Sequence, residues 1–259
     1  MDCITIETDA RGVATLTLNT ADKHNVLSKQ LVSELSQAAV ELAADDSVRV
    51  VILAAKGTSF CAGVDLGWIK EQMSATREVR MAEARSIADM LFALNTLPKP
   101  LIGKIEGLVY GGGVGLAAVC DVVIAVEGAR FALSETRLGL IPATISPYVL
   151  ARLGESMARR VFMSSRVFEA AEAKVLGLIT KSVMPEYIDL AIEAEVKPYL
   201  SAAPSAVASA KALVRSLGPV IDDAVIDRTI EALADTWETP AAMEGVSAFF
   251  EKRKPSWMI

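Results

Sequence analysis

Four glycines within one short segment constrain this chain more than any other feature of its sequence. The segment LVYGGGVGLAAVCD, residues 108–121, contains three consecutive glycines, Gly111 to Gly113, and a fourth, Gly115, after one valine. Glycine in a helix interior costs about 1 kcal/mol relative to alanine, so this run predicts that something approaches the backbone too closely for side chains. Tight helix contact and a bound ligand are the two explanations, and spacing alone favours neither.

A second loop of small residues has the same setting. SFCAGVDL at 59–66 follows the β-branched stretch VRVVILA at 48–54, and the glycine segment follows LIGKI at 101–105. Each loop is therefore expected where a buried strand ends and a helix begins. Free backbone N–H groups at a helix start suit an anion or a developing oxyanion. The glycine segment fits neither GxxxxGK[ST] nor GxGxxG, the two familiar phosphate-binding motifs.

Hydrophobic periodicity predicts an α/β core followed by a helical region. A helix of period 3.6 is expected after Ser28, its candidate N-cap, and from about Ser156 the apolar residues recur at helical spacing. We predict the core over residues 1–195 and the helical region over 196–259. Periodicity does not separate a doubly wound sheet from a spiral of ββα units. Strands are expected at 13–18, 48–54, 101–105 and 122–126.

Composition excludes several classes of function. The 259 residues are 52% hydrophobic and 22% charged, and the formal net charge of -6 argues against a general nucleic-acid binder. No apolar run is long enough to span a bilayer, and Met1-Asp2 does not begin a signal peptide, so we expect a cytoplasmic protein that does not bind membranes. Three widely spaced cysteines predict neither disulfides nor a metal site. The only histidine, His24, is expected to be solvated, and Cys61 to be a small buried residue.

Glu135 is the best candidate for proton transfer. It lies in ARFALSETRLGLIP, residues 129–142, whose apolar members are expected to raise the pKa of a carboxyl group towards neutrality. Composition alone favours a plainer interpretation, in which Glu135 forms an ion pair with Arg130 or Arg137.

Four segments, taken in order, resemble the enoyl-CoA hydratase/isomerase (crotonase) superfamily. They are FCAGVDL, KPLIGKIEGLVYGGGVGLAAVCDVVIA, ARFALSETRLGLIP and FFEKRKP, and the likeness runs from about Val13 to Pro255. The resemblance implies a crotonase-like spiral of ββα units with a helical C-terminal trimerisation region, assembled as a homotrimer or a dimer of trimers. It also implies an acyl-CoA thioester substrate and no separate cofactor, since coenzyme A is part of the substrate.

The same resemblance assigns residues to the site. The backbone N–H groups of Ala62 and Gly112 would form an oxyanion hole for the thioester oxygen, and Glu135 would be the acid–base residue. One such N–H donor is typically worth about 3–4 kcal/mol of barrier. The residues that would bind the CoA ester are Lys23 near its phosphates, Ala62, Gly63, Val64, Asp65 and Leu66 around the adenine, Gly111 and Gly115 in the glycine segment, and Lys252, which would reach a neighbouring subunit's CoA.

Gly115 departs from the pattern of the two-carboxylate hydratases, which have a glutamate there that helps to activate water. Three activities therefore stay open. The first is an enoyl-CoA hydratase in which Glu135 handles both the water and the proton at the α carbon. The second is a 3-enoyl-CoA isomerase with Glu135 as its single base, and the third is a non-catalytic CoA-ester binding protein. The sequence does not identify the group that positions the water in place of this glutamate; Ser134, Thr144 and Ser146 are candidates.

Two further segments favour hydration. DLGWIK at 65–70 and GLIPATISPYV at 139–149 resemble a subgroup that acts on methylglutaconyl-type CoA esters. We expect the missing glutamate side chain at position 115 to leave room for a branched or carboxylated acyl group. The candidate cations for a substrate carboxylate are Lys70, Arg77 and Arg137.

Overall fold

Strands and helices alternate along the computed structural model, which describes residues 1–259. The strands are β1 (Ile4–Thr8), β2 (Val13–Leu18), β3 (Val50–Ala55), β4 (Ser59–Cys61), β5 (Leu101–Ile105), β6 (Leu108–Tyr110), β7 (Val122–Val126), β8 (Arg130–Ala132), β9 (Phe168–Glu169) and β10 (Lys181–Val183). The helices are α1 (Lys29–Ala44), α2 (Leu66–Ser74), α3 (Arg77–Thr96), α4 (Gly112–Val119), α5 (Ser146–Phe162), α6 (Ala170–Val175), α7 (Ile188–Leu200), α8 (Pro204–Leu217), α9 (Asp223–Trp237) and α10 (Pro240–Phe250). Short 3-10 turns lie at Ala21–Lys23, Glu135–Leu138 and Pro185–Tyr187.

The ten strands form two sheets, one of six strands and one of four. The larger has the order β1-β2-β3-β5-β7-β10 and is parallel except for β1 at its edge. The smaller has the order β4-β6-β8-β9 and is parallel except for β9. In the pairs β3–β4, β5–β6 and β7–β8 the first strand joins the larger sheet and the second joins the smaller, and helices follow each pair. This repeat confirms the spiral of ββα units and excludes the doubly wound sheet.

The first elements form where periodicity predicts them. Ser28 caps α1 because its Oγ accepts a hydrogen bond from the Leu31 N–H at 3.1 Å, and the apolar face of the helix is buried on the core. The four predicted strands are β2, β3, β5 and β7, each within two residues of its expected bounds. The segment after Ser156 is less helical than predicted, since it contains β9 and β10.

The C-terminal helices cover one side of the core. A small apolar cluster joins α3 to α9 through Ala84, Ala88, Ile226 and Ile230. The predicted boundary at 195/196 falls inside α7, and the division into two regions stays a prediction. No helix combines the length and the apolar character that crossing a membrane requires.

Candidate active site

Three loops meet because they follow three neighbouring parallel strands. β4, β6 and β8 lie side by side, and the carboxyl ends of parallel strands share one edge of a sheet, where ligands commonly bind. The chain leaves that edge at Ala62, at Gly111 and shortly before Glu135. A Cβ atom added to Gly111 would lie 2.9 Å from Glu135 Oε1 and 3.8 Å from Gly63 Cα. The two small-residue loops and the candidate acid therefore converge.

A cavity of about 610 Å³ opens at this meeting point and is lined largely by hydrophobic side chains. Of the residues predicted for the oxyanion hole, for acid–base catalysis and for binding the CoA ester, only Gly115 and Lys252 lie outside its lining. Lys252 is exposed on the surface of this chain, and its predicted contact with a neighbouring subunit's CoA stays a prediction. The predicted residues that do line the cavity are Lys23, Ala62, Gly63, Val64, Asp65, Leu66, Gly111, Gly112 and Glu135.

The carboxyl group of Glu135 is buried without an ionic partner. Its Oε2 atom has no hydrogen-bond partner, and neither Arg130 nor Arg137 pairs with it. The ion pair that composition favours is therefore wrong. Burial raises the pKa of Glu135 to about 7 because water is excluded from the charged form. A carboxyl group in this state can both accept and release a proton near neutral pH.

The last helix of the chain holds the turn that bears Glu135. At Gly139, which has a φ of 71°, a Cβ atom would overlap the Ala241 carbonyl oxygen of α10, and it would lie 2.9 Å from the Ala242 nitrogen. At Gly245 of α10 a Cβ atom would overlap the Leu138 carbonyl group. Gly139 thus lets the turn approach the backbone of α10, and Gly245 lets α10 approach the backbone of the turn. The two elements are in direct contact.

The N–H group of Ala62 is already used inside the protein. It donates a hydrogen bond to the His24 carbonyl oxygen at 3.1 Å. His24 itself is exposed, as predicted, and its Nδ1 lies 3.0 Å from Ser59 Oγ. This corrects the prediction for Ala62, because an N–H group that is bonded to a carbonyl oxygen does not stabilise a thioester oxygen.

The N–H group of Val64 donates no hydrogen bond within the protein, and it points away from the neighbouring residue Leu27. The Leu27 N–H donates to the Gly63 carbonyl oxygen at 2.7 Å, and the Asp65 N–H donates to the Leu27 carbonyl oxygen at 3.1 Å. In a trans peptide the C=O and N–H groups point in opposite directions. Since the Gly63 C=O points at Leu27, the N–H of Val64 points away from Leu27, and Val64 lines the cavity.

The glycine segment supplies a second free N–H group at the start of α4. Gly112 is the first residue of that helix, and the first N–H groups of a helix have no partner within it. Side chains are excluded on all sides. A Cβ atom would overlap Leu27 Cδ1 at Gly112 and the Cys61 carbonyl oxygen at Gly113. Gly111 has a φ of 47° and lies beside Glu135 Oε1. Close packing within the protein thus explains Gly112 and Gly113, whereas Gly111 lies beside the candidate acid, where a ligand would approach the backbone.

Cys61, which packs against this segment, is the small buried residue that the sequence predicts. Burial raises the pKa of its thiol to about 12, so the thiol stays protonated at neutral pH. A nucleophilic role for Cys61 is not supported.

The space beside Gly115 is filled. A Cβ atom there would overlap Ile145 Cγ2 and would lie 3.6 Å from Leu91 Cδ1. Ile145 is only 2% exposed and lines the cavity. The expectation that this glycine leaves room for the acyl group is therefore wrong, because an isoleucine from the segment before α5 occupies the place of the missing side chain.

The hydroxyl groups suggested for holding water differ in their surroundings. Ser146 Oγ donates to the Ala143 carbonyl oxygen at 2.6 Å and lies outside the lining. Ser134 and Thr144 line the cavity, and neither hydroxyl is bonded to a protein atom. These two hydroxyls are available to a water molecule.

The cation predictions are corrected in part. Lys70 lies over the Phe250 ring at 6.0 Å, outside the lining, and Arg77 pairs with Asp235 and Glu238. Arg137 does line the cavity and is exposed.

Sequence reasoning missed a further cation of the lining, Arg80. The signal was present, because Arg80, Ala84 and Ile87 recur at helical spacing on the face of α3 that lines the cavity.

Comparison with known proteins agrees with this geometry. Residues 8–258 match the family described as enoyl-CoA hydratase/isomerase. A putative enoyl-CoA hydratase from Thermus thermophilus is 32% identical over 96% of this chain and 99% of that protein. The human mitochondrial methylglutaconyl-CoA hydratase is 34% identical over 97% of this chain and 75% of that protein. The crystal structure of an enoyl-CoA hydratase from Mycobacterium avium gives a TM-score of 0.86 at 34% identity, with both chains covered completely.

The match reaches nearly from one end of the sequence to the other, and the solved structure shares the whole fold. Members of this family act on acyl-CoA thioesters, which fits a cavity that ends at free N–H groups and a buried carboxyl group. The names of the relatives support a hydratase-type enzyme, without separating hydratase from isomerase. The chain belongs to the enoyl-CoA hydratase/isomerase family.

Proposed function

We propose that the protein is an enoyl-CoA hydratase that adds water across the 2,3 double bond of an enoyl-CoA thioester. The observation that carries this proposal is Glu135, a buried and unpaired carboxyl group beside the two glycine-bearing loops. A binding protein has no use for such a group, since burying an unpartnered carboxyl group costs free energy. The similarity to hydratases from bacteria and mitochondria supports the same activity.

The free N–H groups of Val64 and Gly112 would form the oxyanion hole. Both residues line the cavity, and the loops that carry them are in contact. Two N–H donors directed at the thioester oxygen stabilise the negative charge that this oxygen gains when a nucleophile adds to C3. In this arrangement Ala62 supplies backbone to the wall beside the CoA moiety and no hydrogen bond to the thioester.

One carboxylate can complete the proton transfers of hydration. Glu135 takes a proton from water while the water oxygen bonds to C3, and the π electrons move to C2 and the thioester oxygen. Glu135 then returns the proton to C2, which restores the double bond of the thioester carbonyl and leaves a carboxylate. Both additions occur on one face of the double bond, as a single carboxyl group requires. The Ser134 and Thr144 hydroxyls, which line the cavity, would hold the water.

A 3-enoyl-CoA isomerase is the second candidate, and one observation favours it. Moving a proton from C2 to C4 needs a single base and no water. Ile145 fills the position beside Gly115 where a second carboxylate would stand, so Glu135 is the one residue of the site with a buried carboxyl oxygen that lacks a partner. The mass of the product separates the two reactions, since isomerisation changes no mass.

For the acyl group we propose a methylglutaconyl-type ester. The support is the similarity to mitochondrial methylglutaconyl-CoA hydratases, which extends over 97% of this chain. Saturating 3-methylglutaconyl-CoA that neither reacts nor competes with other acyl-CoA esters would contradict this assignment.

The decisive experiment compares wild type with Glu135→Gln on crotonyl-CoA and 3-methylglutaconyl-CoA. We expect a product heavier by one water from the wild type, and at least about a hundredfold loss of kcat in the variant, as for removal of a general acid–base group. The affinity for a saturated acyl-CoA should be unchanged, because the amide keeps the shape of the carboxyl group. Glu41→Gln is the matched control, since Glu41 is exposed on α1 and far from the cavity lining.

Each other outcome has a defined meaning. Retained turnover in Glu135→Gln would remove the role given to this residue. A product of unchanged mass from a 3-enoyl-CoA would assign the isomerase. Tight binding of acyl-CoA esters with no turnover of any of them would assign a binding protein.

A further inference from the structure

One wall of the cavity is formed by residues of α2, α3 and α9. Its polar side chains are Gln72, Arg80 and Glu83, and the apolar wall includes Trp68 and Trp237. The guanidinium of Arg80 lies over the Trp237 ring at 5.4 Å from its centroid. A half-buried cation thus stands in a mostly apolar chamber.

Glu83 is the one carboxylate that these helices contribute to the cavity lining, and both of its oxygens are engaged by groups other than Arg80. Glu83 Oε1 pairs with Lys29 Nζ at 2.6 Å, and Glu83 Oε2 accepts hydrogen bonds from Trp68 Nε1 and Gln72 Nε2. Burial alone would raise the pKa of Glu83, but the bonds from Lys29, Trp68 and Gln72 lower it overall. Lys29 also pairs with Glu71 at 2.9 Å, so two carboxylates share this lysine, and Glu83 forms no ion pair with Arg80.

Arg80 also differs from its neighbour on the same helix. Arg77 pairs with Asp235 at 2.7 Å and with Glu238 at 3.1 Å, whereas Arg80 forms no ion pair. Nε of Arg80 donates to the Gln72 carbonyl oxygen at 2.8 Å and Nη2 donates to the Met73 carbonyl oxygen at 3.4 Å. These bonds tie Arg80 to the last turn of α2 and hold the guanidinium in place. Nη1 donates to no protein atom, and a guanidinium presents paired donors that match a carboxylate.

We propose that Arg80 binds the free carboxylate of a dicarboxylic acyl group, so that the enzyme prefers enoyl-CoA esters whose acyl chain ends in a carboxylate. This inference rests on the proposed function, and it assigns to Arg80 the selection of substrates whose acyl chain ends in a carboxylate. In a mostly apolar chamber a cation without an ion pair favours an anionic ligand group over an apolar one.

The positions of Arg80, Ile87 and Leu91 along α3 indicate how far Arg80 lies from the reacting end of the acyl chain. Leu91 of α3 lies beside Gly115, near the reacting end of the cavity. Ile87 and Arg80 line the cavity further along, and the two are separated by two turns, roughly 10 Å of helix axis. The carboxylate therefore lies at the far end of the acyl chain, and a series of chain lengths locates the best fit.

The test measures kcat/KM for matched acidic and uncharged substrates. The pairs are 2-hexenedioyl-CoA with 2-hexenoyl-CoA and 2-octenedioyl-CoA with 2-octenoyl-CoA, with 3-methylglutaconyl-CoA as a branched acid. We expect wild type to prefer the acid in at least one pair, and Arg80→Gln to lower that preference about 10- to 100-fold, the range for a lost hydrogen bond to a charged group. Arg80→Lys should keep part of the preference. Arg77→Gln, one turn before Arg80 and outside the cavity lining, should leave it unchanged.

Three results would overturn the proposal. They are a wild type without preference for either acid, an equal loss for both members of a pair in Arg80→Gln, and a preference that disappears in Arg137→Gln instead. Calorimetric binding of suberoyl-CoA and octanoyl-CoA, both saturated, repeats the comparison without turnover. If no ester is hydrated, the proposed function fails, while the binding preference and its loss in Arg80→Gln still test Arg80.

Discussion

Glu135 combines two properties that rarely occur together, burial of the carboxyl oxygen Oε2 and the absence of any partner for it. The protein stabilises neither form by an ion pair, so burial alone raises the pKa to about 7. The folded pKa thus lies above the ordinary value of about 4.3, and the charged form is disfavoured until the pH approaches neutrality. The raised pKa of Glu135 therefore predicts that catalytic activity increases as the pH rises towards neutrality.

We expect kcat/KM to rise with pH and to level off above about pH 7. Below the pKa of Glu135 the carboxyl group is protonated and cannot take a proton from water, so the rate should fall tenfold for each pH unit. The measurement is a pH profile of kcat/KM for crotonyl-CoA between pH 5 and pH 9, with the wild-type affinity for a saturated acyl-CoA as the control. A rate that falls as the pH rises through 7 would make protonated Glu135 the acid and would require a separate base.

The proposed oxyanion donors show what a motif does and does not predict. Pattern and resemblance identify the two loops that meet at the cavity, 62–66 and 111–112, because small residues after buried strands are visible in the sequence. They do not reveal which N–H group is free. That depends on the His24 carbonyl, which occupies the Ala62 N–H, and His24 is distant in sequence. The same holds for Arg80, whose missing ionic partner is visible only once α2, α3 and α9 are packed together.

At the scale of elements, Gly115 of α4 and Ile145 before α5 act as a pair. The helices pack so closely here that one position must lack a side chain. The missing glutamate is thus matched by an apolar residue that fills its place, and this relation between distant positions could not be predicted from one sequence.

We expect Gly115→Ala to destabilise the protein by about 1–3 kcal/mol, the cost of overpacking a core, although alanine is the better helix former by about 1 kcal/mol. Ile145→Ala should also destabilise, because it leaves a cavity. The double variant should be more stable than the sum of the two losses predicts, since each change relieves the other. Urea unfolding of all four proteins measures this coupling, and strictly additive losses would contradict the contact.

Short elements explain the remaining errors of prediction. β9 and β10 have only two and three residues, too few for an alternating pattern to be recognised in a segment that otherwise has helical spacing. They exist because β8 and β7 offer them an open sheet edge, which is a tertiary effect.

At the scale of the whole molecule, α8 leaves an apolar face uncovered. None of its residues is buried in this chain, and Leu213, Val214 and Leu217 are 59%, 71% and 80% exposed. The assembly that the sequence resemblance implies would cover such residues, and a homotrimer or a dimer of trimers stays our prediction for the protein in solution.

We expect the double variant Leu213→Glu and Leu217→Glu to sediment as a smaller species than wild type, because charges on that face oppose its burial. The control is Ala212→Glu, which adds a charge at an exposed position about 100° around the helix from Leu213. Unchanged sedimentation of the double variant, or equal effects of both variants, would place the contact between subunits elsewhere.

The contact between α10 and the turn of Glu135 has a consequence for the order in which the site forms. Gly245 and Gly139 let residues 240–250 close on the turn from outside. A chain whose two sheets are complete but whose α10 is still unfolded lacks the support for the turn that bears Glu135. Under the proposed function, α10 must therefore fold before catalysis can begin.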